Sequence, residues 1–283
     1  MRLNENELQE RRGRLLDSRQ VGFFAVNRMT EEGRVPVSAF NKFYLTGRDL
    51  GTTELLLGNT KTAQQWFAEG ALGRTMSCSL IRQHEITDGG YLGALSGMFE
   101  EAIRTALLAA DPRVVGATAT EILALEESYL DQYPHEMTRY WRLTGLAAFL
   151  LGDTEHAHAA LETVSETFAS ESEEVSVDPL GEALSDILDG LLADNATAAQ
   201  RGLDALDQSH RVQVPDDPYA SEDVLDHYTS AYLVLARHRG MDIRVENEYV
   251  PTAVYEIDWS PVELPTDTPN ALRDLYETAA AIE

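Results

Sequence analysis

The sequence predicts an all-α protein built from stacked antiparallel helix pairs. Long segments rich in Ala, Leu and Glu and free of proline run between short breaks, a pattern typical of helices. Four of the breaks share one arrangement of residues, which indicates a repeated turn. Two helices per repeat of about 40–47 residues is the arrangement of an α-solenoid of the tetratricopeptide or HEAT type. An irregular bundle whose turns share good turn chemistry is the alternative.

The helices are predicted in order from these segments. We expect a single domain, 1–283, with N-terminal helices in 1–35, repeat-like helix pairs in 36–240, and a C-terminal arm plus helix in 241–283. The segment 242–257 alternates weakly, but Pro251 interrupts it, so we expect an extended arm or short helix there. Polar linkers are expected at 170–177 and 212–218. The helices are placed near 3–19, 37–57, 61–83, 91–109, 113–131, 135–151, 154–169, 180–193, 197–210, 221–238 and 269–282.

The repeated turn is an octet in which an apolar pair is followed by a small residue and then a polar residue. Its third positions, 58, 110, 152 and 193, are spaced 52, 42 and 41 residues apart. Arg239-Gly240-Met241-Asp242 is a candidate fifth turn. The four octets are Leu56–Ala63, Leu108–Val115, Leu150–Ala157 and Leu191–Ala198.

The chemistry of the octet fits a helix that ends and another that begins. Gly58 and Gly152 can take the left-handed conformation that closes a helix. Pro112 suits a first helical turn, where its missing donor has no cost. The next helix needs a side-chain acceptor for its free amides. We expect Asn59, Asp111, Asp153 and Asp194 to provide it.

Acidic residues dominate the charge. The chain has 48 Asp plus Glu against 22 Lys plus Arg, for a net charge of −26, and only Lys42 and Lys61 are lysines. Such a charge repels itself in dilute salt, whereas in molar salt the screening length falls to about 3 Å. Because the acid is scattered along the whole chain, adaptation to a salty cytoplasm is the preferred interpretation. Mimicry of a nucleic acid, or binding of a basic partner, is the alternative.

Membrane and secretory roles are not expected. No stretch approaches eighteen consecutive apolar residues, and no apolar run follows the early arginines. Cys78 is the only cysteine, which fits a reducing cytoplasm, and we expect it to be a buried bystander. The cluster Arg11, Arg12 and Arg14 is preceded by glutamates, so a solvated helix face is expected rather than a nucleic-acid site.

No catalytic, metal or cofactor motif is found. The chain has no phosphate-binding glycine loop, no HExxH and no GxSxG. Glu155 and His158 form a lone ExxH, whereas a four-helix di-metal site needs two. His227 and His238 are about 16 Å apart along a helix, too far for one ion. We therefore expect the histidines to be satisfied structural or surface residues, and we predict no catalytic residues, no metal and no cofactor.

Aromatic residues at helical spacing are the candidates for contact with another protein. Trp66 follows the first turn, Tyr140 and Trp141 precede Phe149, and Tyr232 lies in an alanine-rich helix. Such residues usually pack between helices, and a groove for a partner helix or peptide is the alternative. We predict Trp66, Tyr140, Trp141 and Tyr232 as partner-binding residues.

Two segments resemble helical immunity proteins. One runs from Tyr140-Trp141-Arg142-Leu143 through the Gly152-Asp153 turn, and the other is Ala231–Ile243, ending near Tyr249-Val250-Pro251. An alanine-rich helix, a closing Arg-Gly turn, a short polar arm and a Tyr-x-Pro together resemble the immunity protein 49 family of polymorphic toxin systems, over about residues 40–255. The resemblance implies a non-enzymatic protein that binds a cognate toxin and blocks its active site or assembly. The family supplies no catalytic residues to transfer.

Three functions remain as hypotheses. The first is an immunity protein whose partner is another protein, namely a toxin domain. The second is a general helical-repeat adaptor or regulatory scaffold, and a toxin gene next door would separate it from the first. The third is an enzyme with an unrecognised helical active site, which a buried cluster of titratable groups around a pocket would favour. No nucleic-acid or membrane partner is expected, and the sequence does not indicate an oligomeric state.

Overall fold

The all-α prediction is confirmed. A computed structural model describes residues 3–86, 90–170, 179–214 and 224–282. Helices account for 76% of the structure, and the described residues contain no strand. Short 3₁₀ turns occur at Leu92–Ala94, Pro134–Glu136 and Thr252–Glu256. The α-helices are α1 Glu5–Glu31, α2 Val37–Leu56, α3 Thr60–Gln83, α4 Leu95–Ala109, α5 Pro112–Leu123, α6 Tyr129–Gln132, α7 Met137–Leu150, α8 Thr154–Ser170, α9 Pro179–Leu192, α10 Ala196–Gln213, α11 His227–His238 and α12 Asn270–Thr278.

The repeated turns lie where the octets predict them, between helices. A residue of positive φ closes the preceding helix in each of them. The fifth turn, at Gly240, follows the same rule with a φ of 81°. The four octet residues are Gly58 (78°), Ala110 (49°), Gly152 (82°) and Asp194 (50°).

Two details of the turn chemistry were predicted wrongly. In the fourth turn Asp194, expected to cap the next helix, instead takes the left-handed conformation that closes the preceding one, which a short polar side chain tolerates. The capping role therefore moves to Asn195, whose side chain accepts from the Ala198 amide at 3.2 Å. Asn59 does not cap α3 either. Its side-chain amide instead donates to the Glu54 carboxylate at 2.7 Å.

The other two capping predictions are confirmed. The Asp111 carboxylate accepts from the amides of Arg113, at 2.7 Å, and Val114, at 3.2 Å. The Asp153 carboxylate accepts from the His156 amide at 3.1 Å. Each carboxylate thus satisfies free donors in the first turn of the next helix.

Some helix boundaries differ from the prediction. The first helix continues to Glu31 instead of ending near 19, and Gly22 within it packs so that an added Cβ would lie 3.3 Å from Lys42. The helix predicted at 113–131 ends at Leu123, and the chain restarts at Tyr129, whose hydroxyl donates to the Gly93 carbonyl at 3.2 Å.

The C-terminal helices also begin differently. The helix predicted from 221 begins at His227, and residues 221–223 lie outside the described residues. The last helix ends at Thr278 rather than near 282. The arm before it has no regular structure until the 3₁₀ turn at Thr252–Glu256, which agrees with the expected extended arm or short helix. Linker 170–177 lies outside the described residues apart from its first residue, and linker 212–218 is described only to Val214.

Neighbouring helices in the chain make most of the packing. The most extensive contacts are those of the pairs α2/α3, α3/α4, α7/α8 and α9/α10. The later chain then folds back, because α11 packs on α4 and α12 packs on α3 and α5. An ideal solenoid lacks such return contacts, since each repeat touches only its neighbours. The regular tetratricopeptide-like repeat therefore stays a prediction.

The α2/α3 pair is unusually close. A Cβ on Gly47 would lie 2.7 Å from the backbone of Gly70 and from the Trp66 carbonyl oxygen. A Cβ on Gly51 would meet the Phe67 ring at 2.5 Å. Backbone at this distance leaves no room for a side chain, so glycine at these positions sets the spacing of the two helices.

Buried charged groups tie the termini to this inner pair. The Arg19 guanidinium of α1 donates to both oxygens of Glu69, at 2.6 and 2.7 Å. Glu69 is fully buried and also accepts from the Thr268 hydroxyl at 2.6 Å. Arg19 further binds Asp267 at 2.5 Å. One carboxylate on α3 thus holds both the first helix and the C-terminal arm.

The glycine contact is testable by substitution. Gly47→Ala should destabilise the fold by about 1–3 kcal/mol, because the added methyl group overpacks a backbone contact. Urea denaturation followed by circular dichroism measures the loss. The matched control is Gly13→Ala in α1, where an added Cβ meets nothing within 4 Å and better helix propensity should stabilise by about 0.5–1 kcal/mol. Equal stability of the Gly47→Ala variant and the native protein would contradict the close approach.

Candidate functional site

A network of buried charges joins α4 to α7. The Glu100 carboxylate lies 3.2 Å from the guanidinium of Arg142 and 3.2 Å from that of Arg139. Arg139 also donates to Glu136 at 2.7 Å, and Glu136 accepts from the Ser96 hydroxyl. The carboxylates of this network are therefore compensated by opposite charge in the helix interface.

The start of α11 adjoins this network. The Asp226 side chain caps the helix by accepting from the Thr229 amide at 3.0 Å. Its own amide donates to the Tyr249 carbonyl at 2.9 Å. The next residue, His227, reaches α2, where its Nε2 lies 2.9 Å from the Thr52 hydroxyl. These bonds fix the first turn of α11 against α2 and the Tyr249 loop.

The hydrogen bonds around Thr52 determine the histidine tautomer. The Thr52 hydroxyl donates its only proton to the Arg48 carbonyl at 3.0 Å. It must therefore accept from His227, whose Nε2 carries the proton. The Nδ1 of His227 is then a bare lone pair, and this buried atom has no hydrogen-bond partner.

A cavity of about 310 Å³ lies at this point, between α4, α10 and α11. The Arg104 guanidinium packs 4.0 Å from the centre of the Tyr228 ring. His210 also lines the cavity and meets the Tyr249 ring edge-on at 5.1 Å. The lining includes Arg104, His210, Gln213, Asp226, His227 and Tyr228.

Asp226 differs from the other buried carboxylates. In the part of the chain that the structure describes, the buried acids are Glu54, Glu69, Glu100, Asp111, Glu136 and Asp226. Four of the first five lie against a guanidinium, and Asp111 receives four hydrogen bonds. Asp226 is only 1% exposed, yet its Oδ2 atom has no partner. A buried polar atom of this kind is uncommon in a native protein.

The environment shifts both titrating groups. Burial lowers the pKa of His227 well below its ordinary value, and electrostatic interaction with Arg48, Arg104, His210 and Arg11 lowers it further. Burial raises the pKa of Asp226, although His210 and the bond from Thr229 oppose the rise. His227 is therefore a neutral acceptor at neutral pH.

The residues predicted to bind a partner do not lie in this cavity. Tyr140 is buried, and its hydroxyl donates to the Leu125 carbonyl at 3.0 Å. Tyr232 is also buried, and burial raises its pKa. Trp141 is half-buried and meets Tyr140 edge-on at 5.1 Å. Trp66 is half-buried beneath the Arg19 guanidinium, 5.2 Å away. The structure thus brings Tyr140 and Trp141 together.

Sequence reasoning missed the cavity. His227 was expected to be a satisfied structural or surface histidine, but one of its two ring nitrogens is unsatisfied. The adjacent Asp226-His227 pair at a helix start was a signal, but nothing in the sequence indicates that α4 and α10 lie beside it. Cys78 is buried, and burial raises its thiol pKa to about 12, so it is not a nucleophile at neutral pH.

Among residues 3–86, 90–170, 179–214 and 224–282, no three His, Cys, Asp or Glu side chains converge on a metal position. Although His210, Asp226 and His227 line one cavity, they do not form such a set. In the same ranges no helix has the length and apolar character needed to cross a bilayer.

Comparison with known proteins identifies a family match. A family model described as immunity protein 49 matches residues 74–254, which is well over half of the 283 residues. No curated protein and no solved structure matches the chain. The matched span contains the Glu100 network and the residues that line the cavity, whereas α1 and α2 lie outside it.

The neutral state of His227 predicts how stability depends on pH. Below about pH 6.5 the unfolded chain binds a proton at this histidine that the folded protein does not bind. Stability contributed by neutral His227 is therefore complete above that pH and falls by about 1.4 kcal/mol per pH unit below it. His227→Asn should remove this part of the dependence.

Urea denaturation from about pH 8 to about pH 5.5 at constant salt measures the difference. His135→Asn, at an exposed histidine, is the control and should follow the native protein. Parallel curves for His227→Asn and the native protein would show that burial of His227 does not oppose its protonation.

Proposed function

We propose that this chain, which belongs to the immunity protein 49 family, protects the cell that makes it by binding one toxin protein and blocking it. The family match over residues 74–254 is the observation that carries the proposal. The proposed role is non-catalytic. The protein would bind the toxin in the cytoplasm, where a toxin that acts inside the cell is active.

The surface proposed for the toxin lies at the start of α7. Trp141 is half-buried, and Met137, one turn before it, is 38% exposed. Residues four apart lie on one face of a helix, so the two form an apolar stripe inside the matched span. Tyr140 and Tyr232 support this region from the core. Large aromatic anchors of this type carry much of the binding energy in protein interfaces.

Trp66 is proposed as a separate contact. Its indole lies beneath Arg19, and its Nε1 is buried without a hydrogen-bond partner. Because α3 before residue 74 is outside the matched span, this contact would be particular to this chain rather than shared by the family.

A second candidate, an adaptor for another protein, has one observation in its favour. On α1, Val21 is 64% exposed and Phe24 is 68% exposed. Three residues apart, they share one face of the helix, and α1 lies outside the matched span. A partner other than a toxin could use this apolar face. Finding a toxin gene beside the gene for this chain would favour the immunity role over the adaptor role.

Co-expression tests the immunity role. Cells that make the neighbouring toxin should survive only when this protein is made with it. Met137→Glu should abolish protection, because it places a charge in the proposed contact, and Trp141→Ala should weaken it by removing an anchor.

The control is Trp259→Ala. Trp259 lies outside the matched span, is half-buried, and stacks on His238 with ring centres 4.1 Å apart. It should protect like the native protein. Circular dichroism confirms that each variant folds. Death with and without the native protein would reject the immunity role, and full protection by Met137→Glu would reject the α7 surface.

We also propose that the net charge of −26 is an adaptation to a salty cytoplasm. The melting temperature should rise as KCl increases from tens of millimolar to molar, because screening removes repulsion among the exposed carboxylates. Sucrose at equal osmolality is the control and should not reproduce the whole rise. A melting temperature that does not change across this range would instead favour a specific acidic binding surface.

A further inference from the structure

We propose that the cavity at the start of α11 binds a small zwitterion of the α-amino-acid type. Its ammonium group would lie against Asp226 and His227, and its carboxylate against Arg104 and His210. This inference goes beyond the proposed immunity function and does not rest on it.

The ammonium end follows from two adjacent acceptors that have no donor. The Oδ2 of Asp226 and the Nδ1 of His227 are both buried and without a hydrogen-bond partner. Their residues are 1% and 3% exposed, and both line the cavity. An ammonium group has three donors and a positive charge, so it can satisfy both acceptors and pair with the Asp226 carboxylate.

The carboxylate end follows from the positive charge on another part of the lining. Arg104 lines the cavity with a buried side chain held on the Tyr228 ring. His210 also lines it, and its Nε2 is buried without a partner. A ligand with a cation alone would leave the buried Nε2 of His210 without a partner, and one with an anion alone would leave the Oδ2 of Asp226 without one. A ligand that carries both charges matches both sides.

The space suits a small molecule better than a single water. A water occupies about 30 Å³ of liquid, whereas the cavity has about 310 Å³, at the lower limit of about 300–1,000 Å³ for ligand pockets. A hydrated cavity is the competing account, because several waters could also satisfy these atoms. The two accounts differ in whether a molecule with both charges binds better than one with either charge.

The experiment compares three molecules of similar shape. L-Alanine carries both groups, propionate lacks the ammonium group, and ethylammonium lacks the carboxylate. Each is titrated into the isotopically labelled full chain in high salt, with amide chemical shifts as the readout. Saturable shifts at residues 226–228 are expected for alanine, with an affinity at least tenfold above that of the other two. Equal affinities for the three, or no saturable shift with alanine, would overturn the proposal and leave a hydrated cavity.

A substitution tests the role of Asp226 directly. Asp226→Asn keeps a side chain that can cap α11 but removes the negative charge, so alanine should bind at least tenfold more weakly. The matched control is Asp153→Asn, at an exposed cap aspartate of α8, which should not change the affinity. Unchanged binding by Asp226→Asn would overturn the assignment. If this variant does not fold, the three-ligand comparison on the native chain decides alone.

Discussion

Compensation of buried charge is the constraint on which the packing of this protein depends. Glu69 on α3 is fully buried, and it is tolerated because Arg19 and Thr268 bind it from two distant parts of the chain. Asp111 caps α5 and also accepts from the Val262 amide, at 2.6 Å, and the Tyr276 hydroxyl, at 3.0 Å. Removing one partner of such a group would leave a buried charge, at a cost of about 3–5 kcal/mol. The same carboxylates therefore position α1 and the C-terminal arm.

The start of α11 departs from this rule, and that departure identifies the cavity. The buried Oδ2 of Asp226 has no hydrogen-bond partner, and the adjacent His227 keeps an unused lone pair on Nδ1. Groups that lack partners in the free protein are candidates for ligand contact, since a ligand can provide them. The proposed toxin surface on α7 is a different place with different chemistry, apolar and partly exposed. The two proposals can therefore succeed or fail separately.

Local chemistry made the turns predictable, whereas long-range packing was not predictable. The octets located all four turns, because helix closure and capping depend on a few adjacent residues. The first helix was placed only to about residue 19, since a single sequence does not show that Gly22 packs against Lys42. The cavity was missed for the same reason: α4, α10 and α11 meet only in the folded chain. Of the four aromatic residues predicted as contacts, Tyr140 and Tyr232 are buried, while Trp66 and Trp141 are half-buried.

The central claim is that a toxin binds the start of α7. Hydrogen–deuterium exchange of this chain, with and without the toxin encoded beside it, tests that claim most directly. Binding should slow exchange in α6 and the first turns of α7, around Met137 and Trp141, and leave the exposed face of α1 at Val21 and Phe24 unchanged. Protection confined to α1, or no protection at saturating toxin, would contradict the account.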